Sequence, residues 1–346
     1  MKQIHLLRAE PPKTMKETHD SRTRRREVNG STLGRTGVTV TALGFGAAPI
    51  GNLYRPLAEP DALAAVNAAW DSGIRYFDTA PHYGLGLSER RLGEALAGRP
   101  RGEYAVSTKV GRLLTPNSAP TGSDLAAGFA VPDTLTRRPD YSRDGVLRSL
   151  EDSLRRLRLN RVDIVYVHDP DDHLDEALDQ ALPALADLRD QGVVGAIGAG
   201  MNTVAPLTRI AAEADVDVLM VAGRWTLADR SAGPLLDLCA GRGISVVAAA
   251  PFNSGLLSRP WPPDDAWYDY GPAPEPVLAR ARALAETCRR HGTVLPHAAI
   301  RFPLRHPAVA CVVVGTRTPA EATSAARWAA SDLPPTTWPE LTPPTH

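Results

Sequence analysis

The sequence predicts a single (β/α)8 barrel of the TIM type with long loops on the face where its strands end, and three observations carry that prediction. Eight short runs rich in β-branched residues alternate with longer helical patterns from residue 42 onward. The runs are apolar on both faces, as GAIGA and CVVVG show, which suits a parallel sheet covered by helices. A doubly wound sheet is disfavoured because its G-x-G-x-x-G fingerprint is missing: GFGAAP at 44–49 breaks the spacing.

The elements follow in order. ALGFGAA at 42–48 is the first strand, and a helix over about 60–72 leads to IRYFD at 74–78. A helix from Ser88 to about Ala97 leads to YAVSTK, which closes on Lys109. Helices over about 142–158, 175–191 and 203–214 lead to VDIVYVH, VVGAIGAG and VDVLMVAG. A helix over about 233–242 precedes ISVVAAAP, and helices between 276 and 305 precede AVACVVVGT. A last helix runs from about Pro319 to Ala329.

Three segments exceed ordinary loop length: 113–141, 258–276 and the stretch beyond about 331. The first two follow strands and so are expected to wall the mouth of the barrel. For 258–276 the argument is that Trp261, Trp267, Tyr268 and Tyr270 are costly to leave in water. Residues 1–28 are polar and aperiodic and are expected to form a disordered extension, with Met15 as an alternative start; residues 332–346 are expected to be a proline-rich tail. The barrel itself is assigned to 29–331.

Composition narrows the function classes. The 346 residues carry 39 Lys and Arg against 39 Asp and Glu, so no general attraction to nucleic acid or an anionic membrane is implied. The basic cluster SRTRRRE at 21–27 is read as a solvated tail. A small molecule is the expected partner, and the composition leaves the oligomeric state open. Cys239, Cys288 and Cys311 show no metal or disulfide spacing and are expected to be buried thiols. With no apolar run long enough to span a bilayer or direct secretion, a cytoplasmic location is expected.

On a barrel, Asp78, Lys109 and His168 lie at the ends of strands, and Tyr83 follows on the second strand-to-helix loop. A carboxylate, an ammonium, an imidazole and a phenol at one mouth make a proton-transfer set. The phenol needs help, because an ordinary tyrosine has a pKa of about 10.

The motifs DTAPHYG with the following SER and LG, STK, VDIVYVHDPD and SGLL resemble the aldo-keto reductase family over roughly 30–330. GNLYRPL at 51–57, FDTAPHYGLGLSERRLG, GAGMN at 198–202 and FNSGLLS at 252–258 are similar to its sugar-oxidising branch, the aldose 1-dehydrogenases, and to a related pyridoxal dehydrogenase. The resemblance implies NAD(P)-dependent oxidation of an aldose at its anomeric hydroxyl to a lactone. Tyr83 is then the acid/base, Lys109 paired with Asp78 lowers its pKa, and His168 orients the substrate oxygen. No metal is implied. The alternatives are reduction of an aldehyde or ketone on a non-sugar metabolite, pyridoxal oxidation, or a cofactor-binding regulatory subunit.

The same resemblance implies cofactor contacts. Gly46 lies under the nicotinamide and Asn202 near its carboxamide, while Phe252, Ser254 and Leu256 line the pyrophosphate. Gly315, Arg317 and Glu321 belong to the segment that holds the adenosine. Glu321 falls where NADP-preferring relatives commonly carry an arginine, so the expectation tilts to NAD over NADP, although Arg317 nearby is a candidate phosphate partner. Departures from the family are also present: Ala249 replaces a stacking aromatic, and Ser324 and Ala325 lie where an asparagine is familiar. Arg224, Trp225 and Asn253 are candidate pocket residues, because polar forks and flat rings suit a sugar.

Overall fold

The computed structural model describes residues 30–342. Eight parallel strands close a barrel in sequence order: β1 Leu43–Gly46, β2 Tyr76–Asp78, β3 Ala105–Val110, β4 Ile164–His168, β5 Ala196–Met201, β6 Val218–Ala222, β7 Ser245–Ala249 and β8 Val309–Gly315. Every expected strand is present. The runs are short because each crosses the barrel once, and β8 closes the ring by pairing Gly315 with Gly46 of β1.

Outside the strands run α1 Glu59–Asp71, α2 Leu87–Leu96, α3 Arg143–Leu157, α4 Leu182–Asp190, α5 Val204–Glu213, α6 Gly233–Arg242, α7 Glu275–Arg290, α8 Leu295–Arg301 and α9 Pro319–Ala329. Local signals set their ends. Ser142 Oγ accepts the Gly145 N–H to cap α3, and Thr318 Oγ1 accepts the Glu321 N–H to cap α9. One large apolar cluster fills the space between strands and helices, joining Phe45, Phe77, Val165 and Ile197 to Val66, Leu92, Leu150 and Leu207. Each such side chain contributes about 1.5–3 kcal/mol on burial.

The barrel interior holds Tyr76, Tyr166, Met220, Val247 and Cys311. Tyr76 and Tyr166 share a hydrogen bond of 3.3 Å, and the Tyr76 hydroxyl meets Ser107 Oγ at 3.0 Å, so the two buried phenols are satisfied. At the opposite end from the mouth, an antiparallel pair of strands, Gly30–Thr32 with Thr39–Thr41, carries Leu33 and Val40 into this interior cluster. Sequence patterning missed that plug because three-residue strands give no usable period. Cys239, Cys288 and Cys311 are free and buried, as expected.

The long segments are more ordered than loops. Arg112–Pro116 pairs with Leu135–Pro139, and a bridge joins Leu53 to Phe129. In the second segment Trp267–Tyr268 pairs with Gly271–Pro272. The aromatics expected to be withdrawn from water there are not: Trp261, Trp267 and Tyr270 remain 53%, 45% and 59% exposed. The segment expected to be a tail carries α10 Thr337–Leu341, and Leu333, Trp338 and Leu341 are buried against α7 and α8. The expected extension at 1–28 and its basic cluster lie outside the described residues. Among the described residues no helix is long and apolar enough to cross a membrane.

Candidate active site

Strand register brings the polar set together. Gly46 pairs with Asp78 and Asp78 with Ser107, so the ends of β1, β2 and β3 stand side by side; His168 pairs with Gly200 at the end of β4. Tyr83 is placed by a close contact between two glycines. Gly84 has φ of +62°, and a Cβ there would sit 2.2 Å from the Gly51 carbonyl oxygen. Only glycine fits this backbone and this distance. Ser88 then fastens the turn, since its Oγ donates to the Ala47 carbonyl at 2.7 Å and shares a 2.8 Å bond with Thr79 Oγ1.

The rest of that motif is scaffolding. Glu89 is fully buried and accepts from Thr108 Oγ1 at 2.7 Å and Arg156 Nε at 2.5 Å. Arg91 donates to Glu59, the Ile50 carbonyl and Asn52 Oδ1. Ser88, Glu89 and Arg91 are thus brackets holding the first two loops together.

Lys109 Nζ donates to both Asp78 oxygens, at 2.9 and 2.7 Å, and to the Thr79 carbonyl at 3.0 Å. Ser107 Oγ adds a bond to Asp78 Oδ1 at 2.7 Å. The ammonium lies 4.8 Å from the centre of the Tyr83 ring. Burial pulls the Lys109 pKa down, but Asp78 and Tyr83 outweigh it, and the net shift is upward. The ammonium therefore stays charged.

For Tyr83 the balance differs from the sequence expectation. Burial pushes its pKa up, Lys109 pulls it back and Asp78 pushes it up again; the net shift is upward. Lys109 does lower the phenol's pKa, but it offsets only part of the cost of burying a phenolate. His168 moves the other way. Burial, then the positive charge of Lys109 and Arg112, holds it well below its ordinary 6.5, so it stays neutral. Its Nδ1 is buried without a hydrogen-bond partner among the described residues, and the ring meets Tyr83 edge-on at 5.9 Å.

The segment 113–141 builds one wall of this mouth. Phe129 lies 6.0 Å from the Tyr83 ring and 5.3 Å from the His82 ring. His82 also meets His168 at 5.5 Å, and burial with Arg137, Arg112 and Lys109 pushes its pKa down to about 2. Arg137 donates to the His82 carbonyl at 2.7 Å while clasping both oxygens of Asp124. Tyr141 donates to the carbonyls of His168 and Asp169, at 2.7 and 2.9 Å, and so pins the end of β4. Arg112 NH2 pairs with Asp169 Oδ2 at 2.9 Å. None of Phe129, Arg112, Tyr141 and Asp169 was singled out from the sequence. The VDIVYVHDPD motif flagged the neighbourhood of Asp169, but no spacing rule joins residues 57 apart.

The expected cofactor track is mixed. Gly46 is buried where β8 crowds it, with Val313 Cγ1 3.1 Å from any added Cβ. The Asn202 carbonyl accepts Arg224 Nε at 2.8 Å, and its side-chain amide makes no hydrogen bond among the described residues. Phe252 is half-buried and packs against both the main and the satellite core. Ser254 Oγ accepts the Tyr270 N–H at 2.9 Å. Leu256 departs from expectation, because its side chain is fully buried in the satellite core and leaves only backbone to a ligand.

Arg317 donates to the carbonyls of Leu53, Arg55 and Pro56 at 3.0, 2.7 and 2.8 Å, and Glu321 accepts the Arg317 N–H at 2.6 Å. Gly315 is exposed beside them. Two buried polar atoms on this track, Asn253 Oδ1 and Thr316 Oγ1, have no partner among the described residues. Unfilled hydrogen-bonding capacity on the loops after β7 and β8 fits a polar dinucleotide there. No group of three or more His, Cys, Asp or Glu among the described residues is placed to hold a metal ion.

Two of the three candidate sugar contacts, Arg224 and Trp225, are otherwise occupied, and Asn253 is occupied through its Nδ2 alone. Arg224 clasps both oxygens of Asp269, at 2.9 and 3.0 Å, and reaches Asp229 at 3.4 Å, tying the hairpin after β7 to the ends of β5 and β6. Trp225 turns from the mouth to stack on Phe302 at 5.2 Å, with its Nε1 on the Pro303 carbonyl at 3.4 Å. Asn253 Nδ2 holds the Gly223 carbonyl at 2.9 Å.

Comparison with known proteins agrees with the fold. Residues 42–342 match the Aldo/keto reductase family. The chain is 49% identical over 309 residues to D-threo-aldose 1-dehydrogenase of Pseudomonas sp, covering 88% of this chain and 94% of that protein. It is 39% identical over 327 residues to pyridoxal 4-dehydrogenase of Microbacterium luteolum, covering 89% and 95%. Among solved structures, the holo form of an aldo-keto reductase from Bacillus halodurans superposes with a TM-score of 0.74 at 24% identity, over 91% of this chain and 95% of that one. At that identity the likeness speaks to the fold.

Proposed function

The chain belongs to the aldo/keto reductase family of NAD(P)-dependent oxidoreductases, and from that premise we propose that it oxidises an aldose at its anomeric hydroxyl to the lactone. The observation that carries the proposal is the buried Lys109–Asp78 pair with its ammonium 4.8 Å from the Tyr83 ring. As the phenolate, Tyr83 accepts the anomeric hydroxyl proton and becomes the neutral phenol, and Lys109 stabilises the phenolate's negative charge before that transfer. Asp78 keeps Lys109 charged and in place. His168, neutral, hydrogen-bonds the substrate oxygen and sets its direction towards Tyr83. The nicotinamide supplies the hydride acceptor when it is bound.

Asn202, Ser254 and the unfilled Asn253 Oδ1 and Thr316 Oγ1 would hold that cofactor. NAD is favoured over NADP. The Arg317 guanidinium is consumed by three carbonyls, and the exposed Glu321 carboxylate would repel a 2′-phosphate. The aldose assignment rests on the similarity to the Pseudomonas enzyme. Purified protein is mixed with L-fucose, other aldoses, pyridoxal or generic aldehydes, and either cofactor, while nicotinamide absorbance is followed. NAD reduction with aldoses is the expected outcome; turnover of aldehydes and none of any aldose would sink the reading.

A further inference from the structure

Arg112 and Asp169 lie at the rim of the mouth, next to His168, and the chemistry assigned to Tyr83, Lys109 and His168 does not use them. Their side chains keep 24% and 30% exposure, so the pair faces solvent on one side and the site on the other. Asp169 Oδ2 takes the Arg112 bond at 2.9 Å and lies 3.5 Å from His168 Nε2. Asp169 Oδ1 has no partner among the described residues. Arg112 NH1 touches His82 Nδ1 at 3.4 Å, so the guanidinium is braced from behind.

The placement is also held at a cost. Asp169 has φ of +41°, a left-handed backbone that an aspartate adopts at roughly 1–2 kcal/mol. Two bonds keep it there: its N–H donates to the Gly200 carbonyl at 3.1 Å, and its carbonyl accepts Tyr141. Strain retained beside a reacting centre is a signature of function.

We propose that Arg112 and Asp169 are specificity-determining residues that read a pair of neighbouring hydroxyls on the substrate ring, with Asp169 Oδ1 accepting from one and Arg112 donating to the next. The proposal rests on the aldose reading and sharpens it. A vicinal diol offers one donor and one acceptor at adjacent positions, and a guanidinium beside a carboxylate offers their complements. A substrate without hydroxyls there leaves Asp169 Oδ1 and the spare Arg112 N–H capacity without a partner in a partly dry site, which discriminates more strongly than a missing apolar contact. The pair is neutral as a whole, so it favours an uncharged polyol over an acid.

The test compares wild type with Asp169→Asn and Arg112→Met on three substrates: L-fucose with NAD, its deoxy analogues with NAD, and a hydroxyl-poor aromatic aldehyde with NADH. Asp169→Asn should lower kcat/KM on L-fucose about 10- to 100-fold, and the loss on the aldehyde should be at least tenfold smaller. Wild type should penalise at least one deoxy analogue, and each variant should erase most of that penalty. Equal losses on sugar and aldehyde overturn the proposal, because they mark a residue acting through His168 or through stability. An unchanged deoxy penalty overturns it as well. Wild-type turnover of the aldehyde with none of any aldose overturns the aldose reading itself, which separates the two failures.

Discussion

Lys109 gives two of its three N–H donors to the same carboxylate, Asp78, and both side chains are withdrawn from water, at 2% and 4% exposure. A buried pair of this kind contributes little net stability, but removing one partner leaves an uncompensated charge. Lys109→Met should therefore lower stability by about 3–5 kcal/mol as well as rate, whereas Lys109→Arg keeps the charge and should recover stability ahead of rate. Denaturant unfolding alongside kcat separates the two effects.

Tyr83→Phe removes the proton acceptor without removing the ring that packs on Phe129. The rate should fall about 10²- to 10⁴-fold while nicotinamide binding, read by fluorescence quenching, stays near wild type. Full activity in Tyr83→Phe would refute the role given to this residue.

The upward shift of the Tyr83 pKa has a sign consequence for rate. Oxidation needs the phenolate and reduction needs the phenol, so kcat/KM for oxidation should climb with pH beyond 10, with reduction favoured below it. A rate profile flat from pH 7 to 11 in the oxidative direction would contradict this.

Stability should depend on pH through His82 and His168. Both pKa values are depressed in the fold, so the unfolded chain takes up protons first as pH falls below 6.5. Stability is then fully present above about pH 6.5 and declines below it, down to the folded value of about 2 for His82. At pH 5 the loss for His82 is at most about 2 kcal/mol, from roughly 1.4 kcal/mol per unit. Thermal melts between pH 5 and 8 should show the decline, and His82→Asn should flatten it.

Gly84→Ala tests the turn that carries Tyr83. A left-handed φ of +62° and a Cβ 2.2 Å from the Gly51 oxygen leave alanine no place without backbone movement. The variant should lose about 2 kcal/mol or more, with kcat falling further than stability because Tyr83 moves. A wild-type melting temperature and kcat would show that the turn has slack.

Glu321→Ala should raise kcat/KM with NADP relative to NAD by about 5- to 30-fold, the equivalent of roughly 1–2 kcal/mol of relieved repulsion. Arg317→Ala should not reduce NADP use selectively, because its donors already serve Leu53, Arg55 and Pro56. A selective loss of NADP turnover in Arg317→Ala would reverse that assignment.

The barrel and the proton-transfer set were legible in the chain for a local reason. Strand runs such as YAVSTK and VDIVYVH announce themselves by composition, and a polar residue closing such a run has only the barrel mouth to face. Asp78, Lys109 and His168 follow from that rule, and the HYG turn adds Tyr83. What the tertiary structure decided is which polar groups are free. Arg224 and Arg317 look alike in sequence as candidate ligand contacts, but Asp269 takes one and three loop carbonyls take the other. Trp225 looked like a sugar platform and is spent on Phe302. Arg112, Asp169 and Tyr141 acquire their places only when residues 27 to 57 positions apart meet. Hydrogen-bonding capacity is consumed by whichever partner folding brings near, and the balance of burial against charge at Tyr83 is settled by the same distant neighbours.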